Sequence, residues 1–412
     1  MPPAGAPSAA EQAEARTLAT PRAIRERAEA LYQLGLRGGL EHFAIHEAGL
    51  PALVARVVEV TRAAYPDVRA IPDHTRFRHF GVGGVDRVAE LDRRLADVSA
   101  SDEERLCVKI ELAITSVLLD AGAGERWSYH EAGVDGGTYA RSEGLAVASY
   151  HLYASGALSD AATAPLRADA GALARFSEDD LARAFQVTAD NPLVGSSGRV
   201  GILRRLGEVV GQRSDIFGEP RLGHLGLYLR AQARGGALPA TAVLDAVLDG
   251  LGEIWPGREV CAGKNLGDVW THPAVGRVPF HKLSQWLTYS LCEPLEQSGV
   301  RITGKDQLTG LAEYRNGGLF VDGGVLVPKH SGVLGATHDV SSSLIVEWRA
   351  LTIALLDRVA VEMRRQLSLS ADELPLAAVL EGGTWRTGRV LAKERRPDGS
   401  PPIRVNSDGT VF

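Results

Sequence analysis

The segment 280–291 reads Phe-His-Lys-Leu-Ser-Gln-Trp-Leu-Thr-Tyr-Ser-Leu and puts a cation into an otherwise apolar helical pattern. Leu283, Leu287 and Leu291 recur at helical spacing as one stripe, while Lys282, Gln285 and Tyr289 fall on another side. So few charges predict a buried helix, in which Lys282 needs a partner or a cavity, unless it snorkels from the helix start. The segment 306–318 reads Asp-Gln-Leu-Thr-Gly-Leu-Ala-Glu-Tyr-Arg-Asn-Gly-Gly. Read as a helix over 306–315, it gathers Thr309, Glu313 and Asn316 on one face. Glu313 near Arg315 is either an intrahelical salt bridge, worth little, or a carboxylate that faces a cleft and orients a water or stabilises a cation. The polar loop Gly263–Trp270 sets Asp268 two residues before Trp270. A carboxylate there can accept hydroxyls beside a stacking indole, or simply cap a helix.

Asp120 follows a helix end and precedes Ala-Gly-Ala-Gly, Trp127 and Tyr129. A carboxylate at a helix C-terminus opposes the dipole, so its placement wants a reason. Arg76, Arg78 and His79 can hold a phosphate, close a lid or form ordinary salt bridges. His42 and His46 stand four apart, but the Glu47 that follows is not in zinc-protease order, and surface or capping roles are the simpler reading.

The elements that must position these residues are mostly helices. Thr20-Pro21 is a good start, with a capping hydroxyl and Pro at the first helical position. Ile24, Ala28, Leu31 and Leu34 continue at helical spacing to Gly38-Gly39. Ser101 with Glu104 predicts a capping box for a helix to Leu119. Further helices are expected near 51–64, 142–155, 178–187, 199–211, 240–254, 280–297 and 342–367. The last carries Ile345, Trp348, Leu355, Val359 and Met363 on one stripe, as a central packing helix would. Strand patterns are rare: a small hairpin over 317–329, and a short β element within 384–412 before the turn signal Ser407-Asp408-Gly409-Thr410. Residues 1–19 read as a flexible arm and 20–412 as one mainly α domain with small β additions.

Composition narrows the function. A chain of 412 residues with 45% hydrophobic content can bury a large core. A net charge of -6 argues against a general binder of nucleic-acid backbones. Three widely spaced cysteines, Cys107, Cys261 and Cys292, suit neither a disulfide framework nor a zinc cluster. The N-terminus lacks the basic start and apolar run of a signal peptide, and no apolar run reaches membrane-span length. A cytoplasmic protein without membrane attachment is expected. There is no Gly-x-x-x-x-Gly-Lys-Ser/Thr phosphate loop and no Gly-x-Ser-x-Gly elbow.

Several longer strings carry a resemblance. Arg76-Phe-Arg-His-Phe80, Leu119-Asp-Ala-Gly-Ala-Gly124, Arg141-Ser-Glu-Gly-Leu-Ala146, Asp190-Asn-Pro-Leu193, the run Phe280–Ser290 and the run Leu308–Gly318 resemble the uracil-catabolism family known by the fungal URC and URG names. The likeness spans residue 20 to the end. That family belongs to a pathway that opens the pyrimidine ring and passes through a ribosyl-urea. A more distant resemblance is to queuosine salvage proteins, which hydrolyse an N-glycosidic bond on a helical fold likened to helical DNA glycosylases. Their lysine motif is similar to Phe280–Gln285. Their Asp-Tyr-Arg, with the catalytic carboxylate, is similar to Glu313-Tyr314-Arg315. An acidic residue before the lysine helix is similar to Asp268. The chain departs at Glu313, one methylene longer than Asp.

These resemblances imply hydrolysis of an N-ribosidic bond in ribosylurea or its phosphate. Glu313 would be base and cation stabiliser, and Lys282 would hold a phosphate or the ureido oxygen. Asp268 and Asp120 would hold ribose hydroxyls. Trp127 or Trp270 would be an apolar wall, and Arg76 and Arg78 would meet a phosphate. Tyr129, Gln285, Tyr289 and Arg315 complete the expected binding residues. The expected partner is a small nucleoside-derived substrate, and the chemistry requires no metal or organic cofactor. Two other readings stay open: an amidohydrolase cutting the ureido C–N bond, and a non-catalytic ligand-binding partner of pathway enzymes.

Overall fold

The computed structural model of the chain describes residues 7–133 and 137–406. It is mainly helical with short two-stranded sheets, as the sequence predicts. No helix among the described residues is long and apolar enough to cross a membrane. The chain groups into two compact units, each drawn from separate stretches, where the sequence predicts one domain over 20–412. The first comprises residues up to 74, 257–285 and 304–406; the second comprises 75–256 and 286–303. Helix Lys282–Gln297 contributes its first four residues to the first unit and the rest to the second.

Helix Ser343–Leu367 is the centre of the first unit. Ile345, Trp348, Leu355, Val359 and Met363 are all fully buried, because their spacing keeps them on the inward side. Helices Pro21–Leu36, Leu50–Ala64 and Tyr314–Asp322 pack on it. Pro21–Leu36 starts as expected, with the Thr20 hydroxyl accepting the Ala23 N–H at 3.2 Å. Within the expected N-terminal arm, residues 9–18 form a helix. Ser8 and Glu11 close a capping box, and Leu18 is buried with Cys261, Leu266 and Val269.

In the second unit, helices Asp102–Leu118, Arg141–Ala154 and His224–Gln232 pack together, and Ser196–Gln212 packs on Ala170–Arg175. Ser101 caps the first of these through the Glu104 N–H. The Glu104 carboxylate does not return to the cap as a capping box requires; it takes Arg221 at 2.6 and 2.8 Å. A charged partner outcompetes a backbone N–H for a carboxylate.

Two local expectations are corrected in the first unit. The helix predicted over 306–315 is one short turn, Lys305–Gln307, followed by a buried irregular stretch in which the Glu313 N–H bonds the Leu311 carbonyl at 2.9 Å. Gly310 lies against Leu356 of the central helix, where a Cβ would come within 2.7 Å of that side chain, so only a glycine allows this close approach. The hairpin predicted over 317–329 is instead helix Tyr314–Asp322, a turn at Gly323-Gly324, and strand Leu326–Pro328. That strand pairs antiparallel with Phe43–Ile45, far away in sequence. The expected C-terminal β element is Arg404–Asn406, parallel to Thr337–Asp339. The turn at 407–410 lies outside the described residues.

Candidate functional site

Glu313 has extended backbone (φ -114°, ψ 166°) and is the N-cap of helix Tyr314–Asp322 rather than the last turn of a preceding helix. Its Oε2 accepts the Arg315 N–H at 2.7 Å and its Oε1 the Asn316 N–H at 2.6 Å. These are two donors that a helix start leaves without intrahelical partners. The carboxyl is buried, which pushes its pKa up. The Lys282 charge, the two N–H bonds and the Arg315 charge pull against that rise and do not cancel it. A carboxylate has about four acceptor positions, so two remain for a water or a ligand.

Lys282 opens its helix directly after an antiparallel hairpin, Val269–His272 with Gly276–Pro279. The joint is His281, a non-glycine residue at φ 46°, a left-handed conformation that costs energy and is kept where the surroundings demand it. Its ring is buried and bonds the Leu18 carbonyl at 2.9 Å, and burial lowers its pKa, so the imidazole is neutral near pH 7.

Asp268 fixes the joint from below. Its Oδ2 accepts the Lys282 N–H at 3.0 Å, and its Oδ1 the Trp270 indole N–H at 2.7 Å. Arg349 grips both oxygens at 2.7 Å while its guanidinium stacks 4.1 Å from the Phe280 ring centroid. Burial alone would raise the Asp268 pKa; Arg349, the Lys282 N–H and Trp270 together hold it well below the usual carboxylate range. Asp268 is therefore an anion at neutral pH, engaged in holding its surroundings, and Trp270 is tied to it.

Arg349 is absent from the residues singled out in the sequence, and Asn316 is noted there only as sharing a face with Glu313. Arg349 also reaches the Ala312 carbonyl at 3.3 Å, next to Glu313. A hint was present, since it is an arginine inside the apolar run Leu344–Leu356 and is itself only 1% exposed. Its partner could not be read, because Asp268 lies 81 residues away. Gln285 is fully buried and accepts the Thr309 N–H at 3.3 Å. Arg315 turns away from Glu313 to the Gly399 carbonyl at 2.8 Å, so they form no intrahelical salt bridge.

Glu313, Lys282, Asp268, Gln285, Trp270 and Arg315 thus lie in the first unit, while Asp120, Arg76, Arg78, Trp127, Tyr129 and Tyr289 lie in the second. There, Asp120 pairs with Arg76 and accepts the Ser142 hydroxyl, which supplies the reason for a carboxylate at a helix end. Arg76 is fully buried and also donates to Ser116 at 2.6 Å. Arg78 pairs with Glu293. The Trp127 indole is buried and donates to the Phe185 carbonyl at 2.9 Å. Tyr129 stacks on His151, and Tyr289 is buried. His42 bonds His330 and Ser343, and no group of three or more metal-ligating side chains occurs among the described residues. An open cleft of about 590 Å³ in the second unit, beside Tyr228, Arg234 and Asp245, is bordered by none of the residues singled out in the sequence.

The sequence matches, over residues 17–412, a family described as protein of unknown function (DUF1688). It is 39% identical over 398 residues to protein urg3 of Schizosaccharomyces pombe, covering 94% of this chain and 96% of that protein. It is also 39% identical over 383 residues to uracil catabolism protein 4 of Lachancea kluyveri, covering 84% of this chain and 86% of that protein.

Proposed function

The chain belongs to the family of urg3 and uracil catabolism protein 4, and from that premise we propose that it serves uracil breakdown by hydrolysing the N-ribosidic bond of ribosylurea or its phosphate. The observation that carries the reading is the Glu313 carboxyl: buried, oriented by two backbone N–H groups, raised in pKa and acted on by the Lys282 charge. Such a group can hold a water and take its proton at mild pH.

In this reading the water oxygen bonds to the anomeric carbon as the carbon–nitrogen bond breaks. Glu313 takes a proton from the water and offsets the positive charge on the oxocarbenium-like sugar. The departing nitrogen takes up a proton from solvent, Glu313 returns the one it took, and ribose or its phosphate leaves with urea. Urea departs less readily than a purine, so assistance at the nitrogen matters. Lys282 provides a compact cation for the phosphate or the ureido oxygen. Asp268 serves as a positioning residue, because Arg349, Trp270 and the Lys282 N–H already occupy it.

Incubation of the purified protein with ribosylurea and with its 5′-phosphate, assayed for reducing sugar and urea together, tests the reading. Release of both in equal amounts is expected. Ammonia or carbamate in place of urea would put the cut at the ureido C–N bond and overturn it.

A further inference from the structure

Two buried amide side chains in the first unit are each tied at one end. Gln285 Oε1 accepts the Thr309 N–H, and Asn316 Nδ2 donates to the Leu311 carbonyl at 3.0 Å. Each bond settles which end of the amide is which, since an N–H requires an oxygen and a carbonyl requires a nitrogen. The other ends are then a donor, Gln285 Nε2, and an acceptor, Asn316 Oδ1. Both are buried and neither has a hydrogen-bond partner among the described residues. Native proteins rarely leave such groups unmet, and each one wants a reason.

Their placement supplies one. Thr309 and Leu311 belong to a single buried stretch that runs directly into Glu313, and Asn316 donates its own N–H to Glu313 Oε1. Gln285 sits three residues after Lys282, on the same side of one helix. The open donor and the open acceptor therefore belong to residues anchored on the stretch that carries the proposed base.

We propose that Gln285 and Asn316 form a subsite for a neutral planar amide group, and in particular a ureido group. Gln285 Nε2 donates to its carbonyl oxygen, and Asn316 Oδ1 accepts one of its N–H groups. A phosphate or carboxylate is rejected, because it would set acceptors against Asn316 Oδ1. An apolar group leaves both ends unmet. The choice of ribosylurea as the natural ligand rests on the hydrolytic reading above; the preference for donor–acceptor amides does not. With the ureido oxygen on Gln285, Lys282 is left to the phosphate and to Glu313.

The test uses N-cyclopentylurea, which carries the ureido group on a five-membered ring with no anomeric carbon to attack. Cyclopentyl acetate is similar in shape and has no N–H. Calorimetric titration of the unaltered protein should show the urea binding about tenfold tighter or better, the worth of one well-made buried hydrogen bond. Equal affinities, or no binding of either compound, would overturn the subsite. Gln285→Glu keeps an oxygen for Thr309 and turns the open donor into an acceptor set against the carbonyl oxygen, so it should weaken the binding of cyclopentyl acetate at least tenfold; a folded variant that binds the ester as before also overturns the proposal. Turnover of ribosylurea, measured separately, keeps the two ideas apart. Cleavage without ureido preference removes the subsite alone, and preference without cleavage removes the hydrolytic reading alone.

Discussion

Glu313 caps a helix with both carboxylate oxygens and retains acceptor positions, so one residue can serve fold and chemistry. The two uses separate on substitution. Glu313→Gln keeps one acceptor for the helix start and should cost about 1 kcal/mol of stability, while urea release falls at least a hundredfold; near-normal release in a folded variant would remove the assignment. Its raised pKa has a direction that kinetics can read. The proposed reaction needs Glu313 ionised, so kcat/KM should rise with pH along an acidic limb lying above the ordinary glutamate value of about 4.3. Lys282 holds that pKa down, so Lys282→Met should move the limb further up. A limb that stays in place would show that the ammonium does not act on Glu313. The linkage to folding runs the same way: a carboxyl with a raised folded pKa contributes stability at low pH that is lost as pH rises through that value. Asp268 has the opposite sign. Its depressed folded pKa contributes stability above the unfolded value, lost as pH falls toward the folded one.

Among elements, the hairpin Val269–His272/Gly276–Pro279, the start of helix Lys282–Gln297 and helix Ser343–Leu367 meet through Asp268 and Arg349. Asp268→Asn leaves Arg349 buried without its anion and should destabilise by about 3–5 kcal/mol. Adding Arg349→Met should recover much of that loss in a denaturant titration, and a double variant as unstable as the single one would refute the pairing's role. Helix Trp385–Arg395 lies so close to Tyr314–Asp322 that a Cβ at Gly388 would collide with the Arg315 carbonyl oxygen. Gly388→Ala should therefore cost about 1–3 kcal/mol despite its better helix propensity, with urea release reduced because Glu313 caps the displaced helix; unchanged stability would show that the two helices separate freely.

Legibility in the sequence also divides by element. The helices from Pro21, Leu50 and Ser343 were readable because caps and apolar stripes are local signals. The helix expected over 306–315 is absent beyond Gln307 because Gly310 packs against Leu356 and Glu313 caps the next helix, and neither contact shows in the segment's own periodicity. The pairing of Leu326–Pro328 with Phe43–Ile45 was hidden for the same reason, its partner being remote in the chain.

For the whole molecule, the sequence singles out charged and aromatic residues one by one, but not how the fold groups them. Each compact unit is assembled from non-contiguous stretches, so chain order could not separate Glu313, Lys282 and Asp268 from Asp120 and Arg76. Asp120 and Arg76 answer each other within the second unit. Arg76→Met should therefore act first on stability, by about 3–5 kcal/mol, and proportionate loss of turnover in the protein that remains folded would argue for a direct role instead. Family membership connects the molecule to urg3 and to a relative named for uracil catabolism, and the hydrolytic proposal rests on the geometry around Glu313.

The most direct measurement is the joint assay of ribose and urea from ribosylurea, run on the unaltered protein and on Glu313→Gln side by side. Equal release of both products by the first and none by the folded second is the predicted result. Release of neither product by the unaltered protein, or equal release by both proteins, would contradict the central claim that Glu313 hydrolyses an N-ribosidic bond.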